Sequence, residues 1–161
     1  MADFTGIEAV HYPKQILEEA FDFLRAAGVK GYEAVTLFAG GPQGKIYHVE
    51  ELYIPVQESY KTPDGLMYQV SSEELSVLDD WLFDKQLSLF CQMHTHPGEA
   101  YHSFADDKNC IVTATGGVSI VVPDFAKDPI NPRKWAVYRL MRKSGWTEVD
   151  ENEIEKFIQI S

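Results

Sequence analysis

Apolar residues recur at a helical interval over residues 13–27, PKQILEEAFDFLRAA. Ile16, Leu17, Ala20, Phe21, Leu24 and Ala27 fall on one face. Pro13 suits a first helical turn and Gly28 the position after the last, so the pattern predicts an amphipathic helix. The next stretch, YEAVTLFAGG (32–41), is β-prone and ends in two glycines, and KIYHVEELYIPV (45–56) reads as a second strand. Gly40, Gly41, Pro42 and Gly44 supply a turn between them, which makes a hairpin. Helical spacing returns over 71–85: Ser71 and Glu74 fit a capping box, and Leu75, Leu78, Trp81 and Leu82 an apolar face. LSLFCQMHTH (87–96) is a strand, and VSIVV (118–122) is a strand of the buried type. Between them, SFADDKNCIVTAT opens on a helix-start signal and is stopped by Gly116 and Gly117. PDFAKDPINPRK (123–134), with its prolines, reads as a loop, as does 57–70; both are surface segments that could contact a substrate. WAVYRLMR and WTEVD flank a KSG turn as a hairpin, and ENEIEKFIQI reads as a short terminal helix. Interleaved helices and hairpins predict an α/β (α+β) fold, a mixed β-sheet flanked by helices. With no repeat, low-complexity tract or linker, residues 1–161 are most simply one domain.

Composition narrows the function. Hydrophobic residues make up 45% of the chain, enough for a packed core. The formal net charge of -11 argues against nucleic acid, because phosphate binding needs a basic surface; it permits a neutral or basic protein partner. No apolar run approaches the ~20 residues of a membrane span. The stretch MADFTGIEAVHYP lacks a basic region followed by an apolar one, so a cytoplasmic protein is expected, with Cys91 and Cys110 reduced. No CxxC pair or second Cys/His cluster suggests a structural zinc.

The chemistry concentrates in CQMHTHPGEAYHSFADD, residues 91–107. His94 and His96 stand two apart on a strand, so both imidazoles leave the same face and can bind one metal ion. Ser103 begins a helix and Asp106 lies one turn in, where a carboxylate can supply a third ligand. Two nitrogens and one oxygen suit Zn2+, and a fourth position left to water makes such a site catalytic rather than structural. Plainer explanations exist for each part. An HxH arises often by chance, and Ser103-x-x-Asp106 also fits an ordinary capping box. His102 reads as facing solvent or supporting a ligand, and Cys110 as a core thiol. It is the combination of a strand, HxHP, a short loop and SxxD on a helix start that carries the signal.

HTHP followed by SFAD resembles the motif of the JAB/MPN family of JAMM zinc metalloproteases. That family also has an upstream glutamate with a leucine four and a glycine seven residues later, and YEAVTLFAG supplies Glu33, Leu37 and Gly40. The resemblance extends through the order of elements over roughly residues 13–142. It implies the MPN/cytidine-deaminase-like fold and one Zn2+ per chain held by His94, His96 and Asp106. It also implies Glu33 as general base and Ser103 as hydrogen-bond donor to the oxyanion. Two departures stand out. The family usually has seven residues between the second histidine and the serine, and this chain has six, PGEAYH. Counting from His96 would make Asp107 the third ligand; counting from Ser103 makes it Asp106. Asp106 is favoured because serine and aspartate share one helical turn, whereas a loop loses a residue cheaply. The second departure is Thr36, where a small glycine is often found.

Family members with an intact motif cleave after the C-terminal glycine of ubiquitin or a ubiquitin-like protein. The expected substrate is therefore a ubiquitin-like protein or its conjugates, with the tail extended beside a strand edge. The short chain is most similar to bacterial JAB peptidases found beside E1-like and E2-like proteins in operons associated with antiphage defence. Two alternatives keep the resemblance: a peptidase acting on a sulfur-carrier protein adduct or another small peptide, and a noncatalytic MPN scaffold. A cytidine deaminase is disfavoured, since neither an HxE nor a PCxxC occurs.

Overall fold

A computed structural model of the chain describes residues 2–161. Ten strands and four α-helices follow one another along it: β1 (Ala9–Tyr12), α1 (Lys14–Val29), β2 (Val35–Gln43), β3 (Ile46–Tyr53), β4 (Glu58–Thr62), β5 (Gly65–Gln69), α2 (Ser72–Lys85), β6 (Ser88–Thr95), α3 (Phe104–Lys108), β7 (Val118–Val122), β8 (Ala136–Met141), β9 (Gly145–Glu148), α4 (Ile154–Phe157) and β10 (Ile158–Ile160). Eight strands form one mixed sheet in the order β10-β1-β3-β2-β6-β7-β8-β9, and β4 and β5 form a separate two-stranded hairpin. This is the mixed α/β arrangement expected, with β6 and β7 parallel at its centre and antiparallel strands on either side. No helix among the described residues is long and apolar enough to cross a membrane.

The sheet is covered on both faces. On one, α1 buries Leu17, Ala20, Phe21 and Leu24 against a core that includes Phe38, Tyr47, Phe90, Met93 and Ile120. Tyr47 and Phe90 stack at 4.1 Å between ring centroids, and Phe4 stands edge-on to both. On the other, α2 packs Leu78 and the partly buried Leu75, Trp81 and Leu82 against Val35 and Leu37, with Tyr68 of the hairpin in the same cluster. Each fully buried large apolar side chain of this kind contributes on the order of 1.5–3 kcal/mol.

Several predicted boundaries shift, each for a visible reason. Gly28 does not end α1; it lies in the last turn, and the left-handed residue beyond is Gly31 (φ 79°). The Ser71 hydroxyl accepts from the Glu74 amide as a cap should, but the Glu74 carboxylate turns to the Val56 amide and the Tyr53 hydroxyl, tying α2 to the chain after β3. The helix predicted from Ser103 towards Gly116 is short, because the buried Gln92 side chain takes the amides of Ile111 and Val112, each at 2.9 Å, and holds that segment irregular. The terminal helix lasts only through Phe157; Ile158–Ile160 instead pair in parallel with β1, a strand the pattern does not announce. The segment 57–70 is a hairpin rather than an open loop.

The predicted β2–β3 hairpin forms, but Gly40, Gly41 and Pro42 pair within β2 rather than turn, the turn falls at Gly44, and a bulge lies between Ala39 and Gly40. A Cβ at Gly40 would fall 1.9 Å from the His48 carbonyl oxygen, so only glycine lets the two backbones meet there.

Candidate metal centre

The alternation of β6 builds the site. Phe90, Cys91 and Met93 join the α1-side core, while Gln92 and His94 turn the other way, towards α2 and the β4–β5 hairpin. His96, one residue past the strand's end, keeps the same side. Its amide bonds the Val122 carbonyl at 3.0 Å, extending the parallel β6–β7 pairing by one step. The two Nε2 atoms lie 3.4 Å apart.

Asp106 meets both imidazoles from α3. One carboxylate oxygen is 3.1 Å from His94 Nε2 and the other 3.1 Å from His96 Nε2. Ser103 and Asp106 form a reciprocal capping pair: the Asp106 amide donates to Ser103 Oγ at 3.1 Å, and the Ser103 amide to Asp106 Oδ2 at 2.8 Å. The plain capping reading is thus correct locally, and the cap also aims the carboxylate at the histidines. Ser103 Oγ accepts in this cap, which leaves its hydroxyl able to donate, and Ser103 lines the adjoining cavity. Asp107 goes elsewhere. Its side chain is half exposed and pairs with His102 Nδ1. His102 in turn reaches Ser119 Oγ through Nε2 at 3.1 Å, between the rings of Tyr138 and Trp146.

Glu33 lies two residues before β2 rather than on it, and it is 7% exposed. The chain there is held from two sides. Ala34 exchanges hydrogen bonds with Thr95, and the Glu33 carbonyl accepts from Ser59 Oγ of β4 at 2.8 Å. Gln57 bonds both the amide and the carbonyl of Val35. The ligand atoms offered by Glu33, His94 and His96 all lie within 4.8 Å of one another.

The charges follow from burial and contact. Burial pushes the Glu33 carboxyl up to about 7, with His96 opposing and Asp106 adding to the shift. Burial lowers the pKa of His94. Burial alone would also lower His96, but the hydrogen bond to Asp106 and the nearby carboxylate charges outweigh it and raise the pKa. Asp106 is opposed by its own burial yet held well below the ordinary carboxylate range by hydrogen bonds from the two histidines. Two buried imidazole nitrogens and a buried carboxylate converge on one point. That is costly unless a proton or a cation lies between them. Two atoms bound to a tetrahedral zinc at ~2.0–2.1 Å stand about 3.3 Å apart. The 3.4 Å between the two Nε2 atoms fits one edge of such a figure, and the carboxylate meets each nitrogen at 3.1 Å through a different oxygen. The donor set, two nitrogens and a carboxylate, also suits zinc. His94 Nδ1 is buried without a partner among the described residues, so packing against Tyr68, 5.5 Å between centroids, orients that ring.

The convergence lies at the edge of a cavity of about 620 Å³, lined by Glu33, His96, Ser103 and Asp106. Asp64 to Tyr68, at the turn and second strand of the β4–β5 hairpin, line the same cavity. Tyr101, 54% exposed, stands edge-on to His96 at 4.7 Å. The hairpin's place over the site could not be read from the sequence, whose alternation over 58–69 is too polar to announce strands.

A second feature also escaped the sequence. Directly after β7, Asp124, Phe125 and Ala126 have φ values of 54°, 54° and 59°, a left-handed turn made without glycine. Each such residue costs roughly 1–2 kcal/mol. Nothing in the letters DFA signals it, since glycine or asparagine would be the usual marker.

A comparison with protein-family models finds no match. Among curated proteins, the chain is 35% identical over 161 residues to "Probable metalloprotease y4jG" of Sinorhizobium fredii, covering 100% of this chain and 99% of that one. Among solved structures, it is similar to the solution structure of protein DSY2949 from Desulfitobacterium hafniense. The TM-score there is 0.59 at 19% identity, over 94% of this chain and 92% of the other, a likeness of fold alone.

Proposed function

The chain belongs to the metalloprotease family of the Sinorhizobium protein, and we propose that it is a JAMM-type zinc peptidase that cuts after the C-terminal glycine of a ubiquitin-like protein. The observation that carries the reading is the meeting of His94, His96, Asp106 and Glu33 at the edge of one cavity. His94, His96 and Asp106 would hold the metal. Asp107 is spent on His102, and Glu33, though near enough to bind, is the group left over for proton transfer.

Zinc held by His94, His96 and Asp106 would supply an acidified water, with a pKa towards ~7, and a Lewis acid for the scissile carbonyl. Glu33 takes the proton of the attacking water and returns it to the leaving amine. A carboxylate tuned to about 7 suits both directions of transfer at neutral pH, and a bound cation draws that value down. The Ser103 hydroxyl donates to the oxygen that gains charge. The β4–β5 hairpin lines the cavity together with Glu33, giving an extended tail a place to lie beside strand backbone. The choice of a ubiquitin-like substrate is supported by the resemblance of Glu33, HTHP and SxxD to the JAMM motif.

The test is zinc content of the purified protein together with cleavage of a ubiquitin-like protein fused through its C-terminal glycine, with and without chelator. About one zinc per chain and chelator-sensitive cleavage are expected. Zinc without cleavage would sink the substrate and turn attention to a sulfur-carrier adduct. No zinc in a folded protein would end the metallopeptidase reading.

A further inference from the structure

We infer that the left-handed turn Asp124–Ala126 is a positioning element for the His96 ligand, and that Arg25 and Gly28 of α1 hold it in place from the far side. The inference rests on His96 being a metal ligand, as proposed above.

The two histidines are not equally supported. His94 lies within β6, paired to β2 on one side and β7 on the other. His96 lies beyond the strand's last residue, at the start of the loop HPGEAYH. A ligand on a loop needs something to fix its backbone. The turn supplies it: the Phe125 amide donates to the His96 carbonyl at 2.9 Å, and the Asp124 amide to the Gly98 carbonyl at 3.0 Å. With His96 N–H already on Val122, both backbone groups of the ligand are tied down. A right-handed turn would turn these peptide planes over and take both amides away from their acceptors.

Three consecutive non-glycine residues with positive φ persist only where the surroundings over-determine them. Here the surroundings are α1. Arg25 Nε donates to the Ala126 carbonyl at 2.7 Å and a terminal nitrogen to the Asp128 carbonyl at 2.8 Å. Gly28 supplies the room: a Cβ there would fall 2.5 Å from Phe125 Cβ and 3.1 Å from its carbonyl oxygen. Strain, two amides aimed at the ligand loop, and a brace that needs both an arginine and a glycine thus coincide on one segment. Arg25 and Gly28 are positioning residues; neither lines the cavity that holds the site.

Gly28→Ala separates this role from plain stability. Alanine is the better helix former, so the helix itself gains. Its methyl must displace Phe125, and with it the amide on His96. Zinc affinity by competition with a chromophoric chelator should fall about tenfold, as for loss of other groups that orient a ligand, and the visible spectrum of the Co2+-loaded protein should change shape. The metal-free melting temperature, read alongside, should fall by less than the change in zinc affinity would imply for a general loss of structure. Gly28→Ala/Phe125→Gly, which removes the opposing Cβ and relaxes the positive φ, should restore affinity to within about threefold. Wild-type affinity and an unchanged Co2+ spectrum in Gly28→Ala would overturn the inference, as would a double variant no better than the single. Should Gly28→Ala fail to fold, Arg25→Met removes both carbonyl bonds and is read the same way. Wild-type protein that binds zinc but cuts no fusion would end the substrate reading and leave this test standing.

Discussion

The two faces of the central strands invite comparison at a single peptide bond. Met93 and His94 are neighbours, and both are fully buried. Met93 faces α1 among the apolar side chains of Phe38, Phe90 and Ile120. His94 faces α2 and the hairpin, beside Gln92 and, across the register, Ser119. There a chain of polar side chains is buried together: Gln92 takes two amides and donates to Ser119, and Ser119 meets His102. One face is stabilised by leaving water and the other by replacing it. Burial alone therefore predicts nothing about a residue's part; the company on its side of the sheet does.

Substitutions on either side of that bond should have opposite signatures. The largest effect is expected from His94→Ala. Zinc affinity should fall by more than the ~10- to 100-fold that loss of an outer-shell group costs, with chelator competition as the measure and cleavage lost alongside. Retained stoichiometric zinc would remove His94 from the ligand set. Next is Glu33→Gln, which should keep zinc and lose about 10²–10⁴-fold in cleavage rate; an unchanged rate would strip Glu33 of its role as base. On the dry face, Met93→Ala should cost about 2–5 kcal/mol of folding stability by denaturant titration and leave zinc stoichiometry alone. A zinc loss there would mean that the two faces are not independent.

The same face difference has a sign in pH. Glu33 titrates at about 7 in the fold against an ordinary 4.5. Between those values the folded chain keeps a proton on Glu33 that the unfolded chain has released, so the Glu33 contribution to the stability of the metal-free protein falls as pH rises from about 4.5 to about 7 and is level above. Glu33→Gln removes that penalty. It should raise the metal-free melting temperature at pH 8 and leave it nearly unchanged at pH 4. An equal rise at both values would mean that the gain comes from packing.

The sequence disclosed what short-range periodicity and spacing can disclose. Helical spacing gave α1 and α2, alternation and turn glycines gave β2 and β3, and HxH on a strand put two imidazoles on one face. What it hid depended on distant partners. Residues 109–115 are not helical because Gln92, far back in the chain, takes their amides. Ile158–Ile160 are a strand because β1 lies open beside them. Residues 58–69 fold as a hairpin lining the site's cavity although the segment reads as ordinary polar loop. The turn at Asp124 runs against local preference altogether.

The smallest effect is expected at the second aspartate, and it is the one that most sharpens the choice between neighbours. Asp106 and Asp107 differ by one position on one short helix, and a loop count from His96 would select Asp107. The fold turns Asp106 inward to 3.1 Å from each imidazole and leaves Asp107 half exposed on His102. Asp107→Asn keeps shape and a hydrogen bond to His102, and a half-exposed pair contributes only ~0–1 kcal/mol. Zinc affinity should therefore stay within about threefold of wild type, while Asp106→Asn should lose most of it, since a neutral amide replaces the charged carboxylate ligand. The reverse order would show that the loop count, not the helical turn, sets the ligand.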